Sequence, residues 1–77
     1  MNLQRTILRN LEQRANGMCP TGTLWSDVLL DEPGTSYSAF QRAMTDLEIK
    51  GQVVVVTGED RNKAKITDAG KARLMES

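Results

Sequence analysis

Apolar residues recur along this chain at helical spacing in four stretches, and at strand spacing in one region between the third and the fourth. From Asn2 to Asn16, Leu3, Ile7, Leu8, Leu11 and Ala15 fall three or four apart, with Arg5, Arg9, Glu12, Gln13 and Arg14 between them. That pattern predicts a helix with one apolar stripe. Asn16-Gly17 is its stop signal, since both residues tolerate the left-handed conformation that closes a last turn. Pro20 pushes Cys19 out of helical space, so Met18-Cys19-Pro20 reads as a short extended piece, at most a minimal strand. Thr21 or Thr23 can cap a second helix running to about Leu30, with Leu24, Val28 and Leu29 inward and Trp25 at the edge of the core.

Asp31-Glu32-Pro33-Gly34 breaks the pattern with turn chemistry. Thr35 or Ser36 can cap a third helix to Lys50, whose inward positions are Phe40, Ala43, Met44 and Leu47 and whose end is Gly51. Period two then takes over. Gln52 to Thr57 is β-branched and predicts a strand, with Val53 and Val55 facing inward; Gly58-Glu59-Asp60-Arg61-Asn62 is a polar turn, and Lys63 to Thr67 alternates as a returning strand. Thr67 or Asp68 can cap a final helix in which Ala69, Ala72 and Met75 share a face, with Leu74 nearby. Met18, Met44 and Met75 read as core fillers. The predicted order is helix, short strand, helix, helix, hairpin, helix.

Composition narrows the chemistry. Seventy-seven residues, 39% apolar and 26% charged, fit one ordinary α+β domain spanning 1–77. The absence of histidine excludes Ser-His-Asp and Cys-His nucleophile systems and any imidazole metal ligand. One cysteine cannot make an internal disulfide or a thiolate cage, so Cys19 reads as a small buried hydrophobe with no adjacent base to lower its pKa. The first residues do not resemble a signal peptide, and the longest strictly apolar run is Val53–Val56, far short of a membrane span. The expectation is a cytoplasmic protein without membrane contact, metal or cofactor. Asp31-Glu32 and Glu59-Asp60 are sequence neighbours in turns rather than converging carboxylates, and no Gly-rich phosphate loop exists. An enzyme is not expected.

Net charge is zero, but its distribution is uneven. Asn2 to Asn16 has three Arg against one Glu (net +2), and Arg61 to Arg73 has five bases against Asp68 (net +4). Asp27 to Asp60 has two bases against seven acids (net −5). The expected positive surface is therefore the second hairpin strand and the two end helices. The acids read as capping, turn and pairing residues, with Lys50 and Arg61 as partners.

Three helices followed by a two-stranded hairpin is the layout of a winged helix-turn-helix domain, and local sequence resembles that family. Ser38 to Val53, with Leu47-Glu48-Ile49-Lys50-Gly51-Gln52-Val53 at its end, is similar to the family's third helix and its Leu-x-x-x-Gly-x-Val exit into the wing. Ile66-Thr67-Asp68-Ala69-Gly70 resembles the junction that follows the wing in MarR- and PadR-type regulators. Gln52 stands where such proteins carry an apolar residue, and Ile49 where they carry a polar one. Ile49 is either an oligomer contact, an isolated surface residue, or packed under the first helix.

The resemblance implies duplex DNA binding, most simply by a small prokaryotic or phage transcriptional regulator, with the third helix in the major groove and the hairpin on the backbone. Ser38, Gln41, Arg42 and Thr45 are then the candidate base contacts, Gln41 pairing with adenine and Arg42 with guanine. Thr35, Ser36, Tyr37, Arg61, Lys63 and Lys65 are the candidate backbone contacts. So few bases on one chain make a homodimer the usual remedy for weak affinity. The alternative is an interaction adaptor of the same fold that binds a protein partner without reading DNA, consistent with zero net charge, the acidic middle and Ile49.

Overall fold

The computed structural model describes residues 2–59 and 61–76. Asp60, half of the acidic pair in the hairpin turn, lies outside them. Helix α1 spans Leu3–Glu12, a single 3-10 turn follows at Ala15–Gly17, and β1 is Met18–Pro20. Helices α2 (Thr21–Asp31) and α3 (Tyr37–Ile49) come next, then β2 (Val53–Thr57), β3 (Asn62–Ile66) and α4 (Asp68–Met75). The molecule is a small α+β fold of four helices and a three-stranded antiparallel sheet in the order β1-β3-β2.

Asn2 opens α1, its Oδ1 accepting from the N–H groups of Gln4 and Arg5 at 3.1 and 3.3 Å. The helix ends earlier than its apolar spacing predicts. Arg14 is extended, and Asn16 and Gly17 both sit in the left-handed region, at φ 61° and 63°. Ala15 is therefore exposed rather than part of the stripe. A Cβ on Gly17 would also fall 2.7 Å from Ile66 Cγ2, so only glycine lets this corner close onto β3. The corner delivers β1 in register, with Cys19 opposite Ala64.

Neither Thr21 nor Thr23 caps α2. Thr21 is already the first helical residue, and the capping position falls to Pro20, locked in extended geometry and without a side-chain acceptor. Ser36 rather than Thr35 caps α3, its Oγ accepting from the Ala39 N–H at 3.1 Å. Gly51 takes the positive φ (73°) that turns the chain out of α3 toward β2.

Thr67 caps α4, accepting from the Gly70 N–H at 3.2 Å. The same Oγ1 donates to the Gly51 carbonyl at 2.6 Å, and the Thr67 N–H donates to the Gln52 carbonyl at 3.1 Å. The exit from α3 and the start of α4, sixteen residues apart in sequence, are thus clasped by one threonine.

The core is one cluster formed by Ile7, Leu8 and Leu11 of α1, Leu24 and Val28 of α2, and Phe40, Ala43, Met44 and Leu47 of α3, with Cys19, Val53, Ala64 and Ile66 from the sheet. The inward positions anticipated for α3 are all buried. In α2, Leu29 is only half-buried and Leu30 is exposed. The inward face of α4 differs from expectation: Ala69, Ala72 and Met75 are exposed, while Gly70 is buried and Leu74 packs on the core. A Cβ on Gly70 would lie 2.4 Å from the Gln52 carbonyl oxygen and 2.8 Å from Ile66 Cγ1. The helix docks through its smallest residue, which turns the alanines outward. Of the three expected methionine fillers, Met44 is buried, Met18 half-buried and Met75 exposed.

With one aliphatic side chain in the core, α4 is held largely by polar ties. Arg5 Nη1 and Nη2 donate to the carbonyls of Arg73 and Leu74 at 3.1 and 3.3 Å, placing positive charge at the negative end of α4. Arg73 Nη1 donates to Gln4 Oε1 at 2.7 Å and to Gln52 Oε1 at 2.8 Å. Gln52 is thus an acceptor for that seam. Among the described residues no helix is long and apolar enough to cross a membrane.

Candidate functional site

Burial of Phe40, Ala43, Met44 and Leu47 turns the opposite face of α3 to solvent. Ser38, Gln41, Arg42 and Thr45 are all exposed there and line one shallow concavity, with Asp46 as its fifth member. The 3- and 4-residue spacing that buries one stripe necessarily gathers the other. Among the described residues, the side chains of Gln41 and Arg42 make no hydrogen bond or ion pair within the chain, so their donors are free for a ligand.

Asp46 was not among the candidate contacts, and its helical position, four after Arg42, was the available signal. Its Oδ2 accepts from Gln4 Nε2 at 3.2 Å. Among the described residues Lys50 does not pair with an acid; its Nζ donates to Gln4 Oε1 at 3.4 Å. Gln4 therefore ties α1 to α3 and, through Arg73, to α4. The ion pair among the described residues is between Arg14 and Asp27, joining the end of α1 to α2. Asp31 accepts from Asn10 Nδ2 at 2.9 Å.

The candidate backbone contacts separate into two groups. At the start of α3, Ser36 serves as cap, Thr35 is half-buried, and its N–H donates to the Glu32 carbonyl at 3.1 Å. Tyr37 is 54% exposed yet partly committed to packing: its ring meets Trp25 edge-on at 5.3 Å and lies 6.1 Å from Phe40. Trp25 in turn lies 5.0 Å from Phe40, so these three aromatics fix the α2–α3 angle.

Lys63 and Lys65 form the second group. Both are exposed on β3, opposite Val56 and Val54 of β2, which are 46% and 50% exposed. This is the outer face of the sheet. Its inner face carries Val55, which borders Gln41 and Thr45 of α3. The structure therefore gathers the four helical candidates at one place but sets the lysine pair on the hairpin face turned away from them. Arg61 is exposed at the hairpin turn, beside Gly58, Glu59 and Lys63.

The positive surface is narrower than the charge pattern along the chain implies. Arg5 and Arg73 are absorbed in the α1–α4 seam and Arg14 in its ion pair, which leaves Arg9, Arg42, Arg61, Lys63, Lys65 and Lys71 exposed outside those ties. Cys19 is buried, and burial pushes its thiol above the ordinary range. A base does act on it, contrary to the sequence reading: Arg14 pulls in the opposite direction, but desolvation is the larger effect. Ile49 does not pack under α1; it is 78% exposed.

Comparison with family models, with curated proteins and with solved structures finds no match to this chain.

Proposed function

We propose that the chain is a winged helix-turn-helix module that binds duplex DNA, with α3 in the major groove and the β2–β3 hairpin as the wing. The observation that carries this reading is the free polar face of α3, where Ser38, Gln41, Arg42 and Thr45 converge with unoccupied donors on a helix whose other face is anchored in the core. A short α2–α3 turn, a helix rigidified by three aromatics, and a hairpin immediately after it support the same geometry. Arg42 presents a two-pronged donor suited to guanine, and Gln41 a donor–acceptor pair suited to adenine. Arg61 at the hairpin turn supplies a phosphate contact from the wing, and Lys63 and Lys65, on the hairpin face turned away from α3, reach only phosphates flanking the stretch that α3 reads.

Fluorescence anisotropy with mixed-sequence duplex DNA at two salt concentrations tests this directly. Binding in the micromolar range that weakens steeply with salt is the expected result. No binding up to about 0.1 mM at low salt removes the proposal, since nonspecific binding by such modules falls well inside that limit. A second reading, a protein-binding adaptor, is favoured by Ile49, which leaves an apolar side chain 78% exposed at the end of α3. Ile49→Glu should then release a partner or dissociate a dimer, measured by sedimentation.

A further inference from the structure

Asp46 is held by Gln4 of α1, a residue distant in sequence, rather than by its neighbours on α3. It shares the α3 concavity with Ser38, Gln41, Arg42 and Thr45, and it does not form an ion pair with Arg42 or Lys50. Its Oδ2 is held by Gln4 Nε2, and Gln4 is itself anchored because its Oε1 accepts from both Arg73 and Lys50. That arrangement assigns the Gln4 amide unambiguously: the oxygen faces two cations, so the nitrogen faces the carboxylate. One carboxylate oxygen is thereby engaged, while Oδ1 has no partner among the described residues. A positioned acceptor thus stands on a face otherwise built of donors and amphoteric groups.

Resting on the DNA-binding reading above, we propose that Asp46 is a specificity-determining residue that accepts a hydrogen bond from the exocyclic amino group of cytosine in the major groove. Carboxylates are the side chains suited to that donor, because cytosine shows an N4 amino group where the other pyrimidine shows a carbonyl and a methyl. Placed one helical turn beyond Arg42, Asp46 would read a base pair near the guanine that Arg42 reads, so the preferred site contains a G and a C at neighbouring positions. Against thymine, the carboxylate would face the O4 acceptor and repel it. Against phosphate it would be repulsive everywhere, so the acidic group has a favourable place only when the correct base is present.

Selection from a random duplex library, followed by anisotropy on the enriched sites, tests the assignment with wild type, Asp46→Ala and Asp46→Asn. Wild type should favour cytosine at one position by roughly tenfold, Asp46→Ala should lose that preference alone, and Asp46→Asn should move it toward adenine, whose N6 and N7 match a carboxamide. If Asp46→Ala instead tightens binding to every duplex equally and leaves all preferences intact, the carboxylate only repels phosphate, and the proposal falls while DNA binding through α3 stands. If wild type binds no duplex, both fall together. Asp46 is exposed, and unchanged circular dichroism and melting of the variants would separate readout from folding.

Discussion

The α1–α4 seam and the outer face of α3 carry similar side chains and use them in opposite ways. Along the seam, Arg5, Arg73, Gln4 and Gln52 are joined to one another or to helix-end carbonyls, and a glycine allows the backbones to meet. On α3, Gln41 and Arg42 make no such ties among the described residues and stand in solvent. Arginine and glutamine serve as fold-holding residues in one place and as available chemistry in the other. What separates them is whether a neighbouring element supplies acceptors within reach, which formal charge along the chain does not reveal.

Substitutions can break this contrast in graded steps. Gly70→Ala should have the largest effect on folding, lowering the unfolding free energy by about 2–3 kcal/mol, because the added methyl meets a backbone oxygen that cannot move aside. The helix-propensity gain from alanine, about 1 kcal/mol, does not offset this. Urea denaturation measures it, and a variant as stable as wild type would mean the seam has slack. Arg73→Ala should cost about 1 kcal/mol, since it removes two charge-assisted hydrogen bonds from a half-buried site that water can partly re-solvate.

A gentler perturbation is pH. The thiol of Cys19 is held above its ordinary value of 9.0 by burial, so the folded state favours the neutral form. Its contribution is fully present below pH 9 and is lost as pH rises through the folded-state value; Cys19→Ala should flatten that alkaline decline in melting temperature. At the other side of the contrast, Arg42→Ala should leave folding within about 0.5 kcal/mol of wild type. The same change should weaken binding to a selected duplex at least about tenfold and relax one base position. Replacing Lys63 and Lys65 by Ala should reduce the salt slope by about 2 without changing base preference.

The order of elements was legible in the sequence because period and punctuation agreed: Pro33-Gly34 and Gly51 bounded α3, and its apolar spacing named its four buried residues. The exposed face of α3 followed as the complement of that stripe. Other features depend on contacts between distant segments and leave no local trace. The early end of α1 is dictated by the corner that brings β1 to β3, where Gly17 meets Ile66. The rotation of α4 is dictated by the approach of Gly70 to Gln52, which outweighs the pull of Ala69, Ala72 and Met75 toward the core. The place of Thr21 in the first turn of α2 follows from Pro20 belonging to a paired strand, which no capping preference anticipates. The division of basic residues into engaged and free depends on Gln4, Asp27 and Gln52, none of which looks special in isolation.

The threonine clasp has a consequence for how this molecule can change. By tying Gly51 to Thr67, it fastens both ends of the hairpin at its base, so the strands between them form a closed loop with its own boundary. Val53 and Ile66 at the base and Ala64 farther along belong to the core, whereas Thr57, Gly58, Glu59, Arg61 and Asn62 are exposed and lie outside that cluster. Lengthening that distal part adds loop entropy only logarithmically, about 0.6 kcal/mol per doubling. The hairpin tip is therefore an insertion point: longer or differently charged tips can be grafted there, and whatever the wing reaches can be retuned without redesigning the helices beneath it.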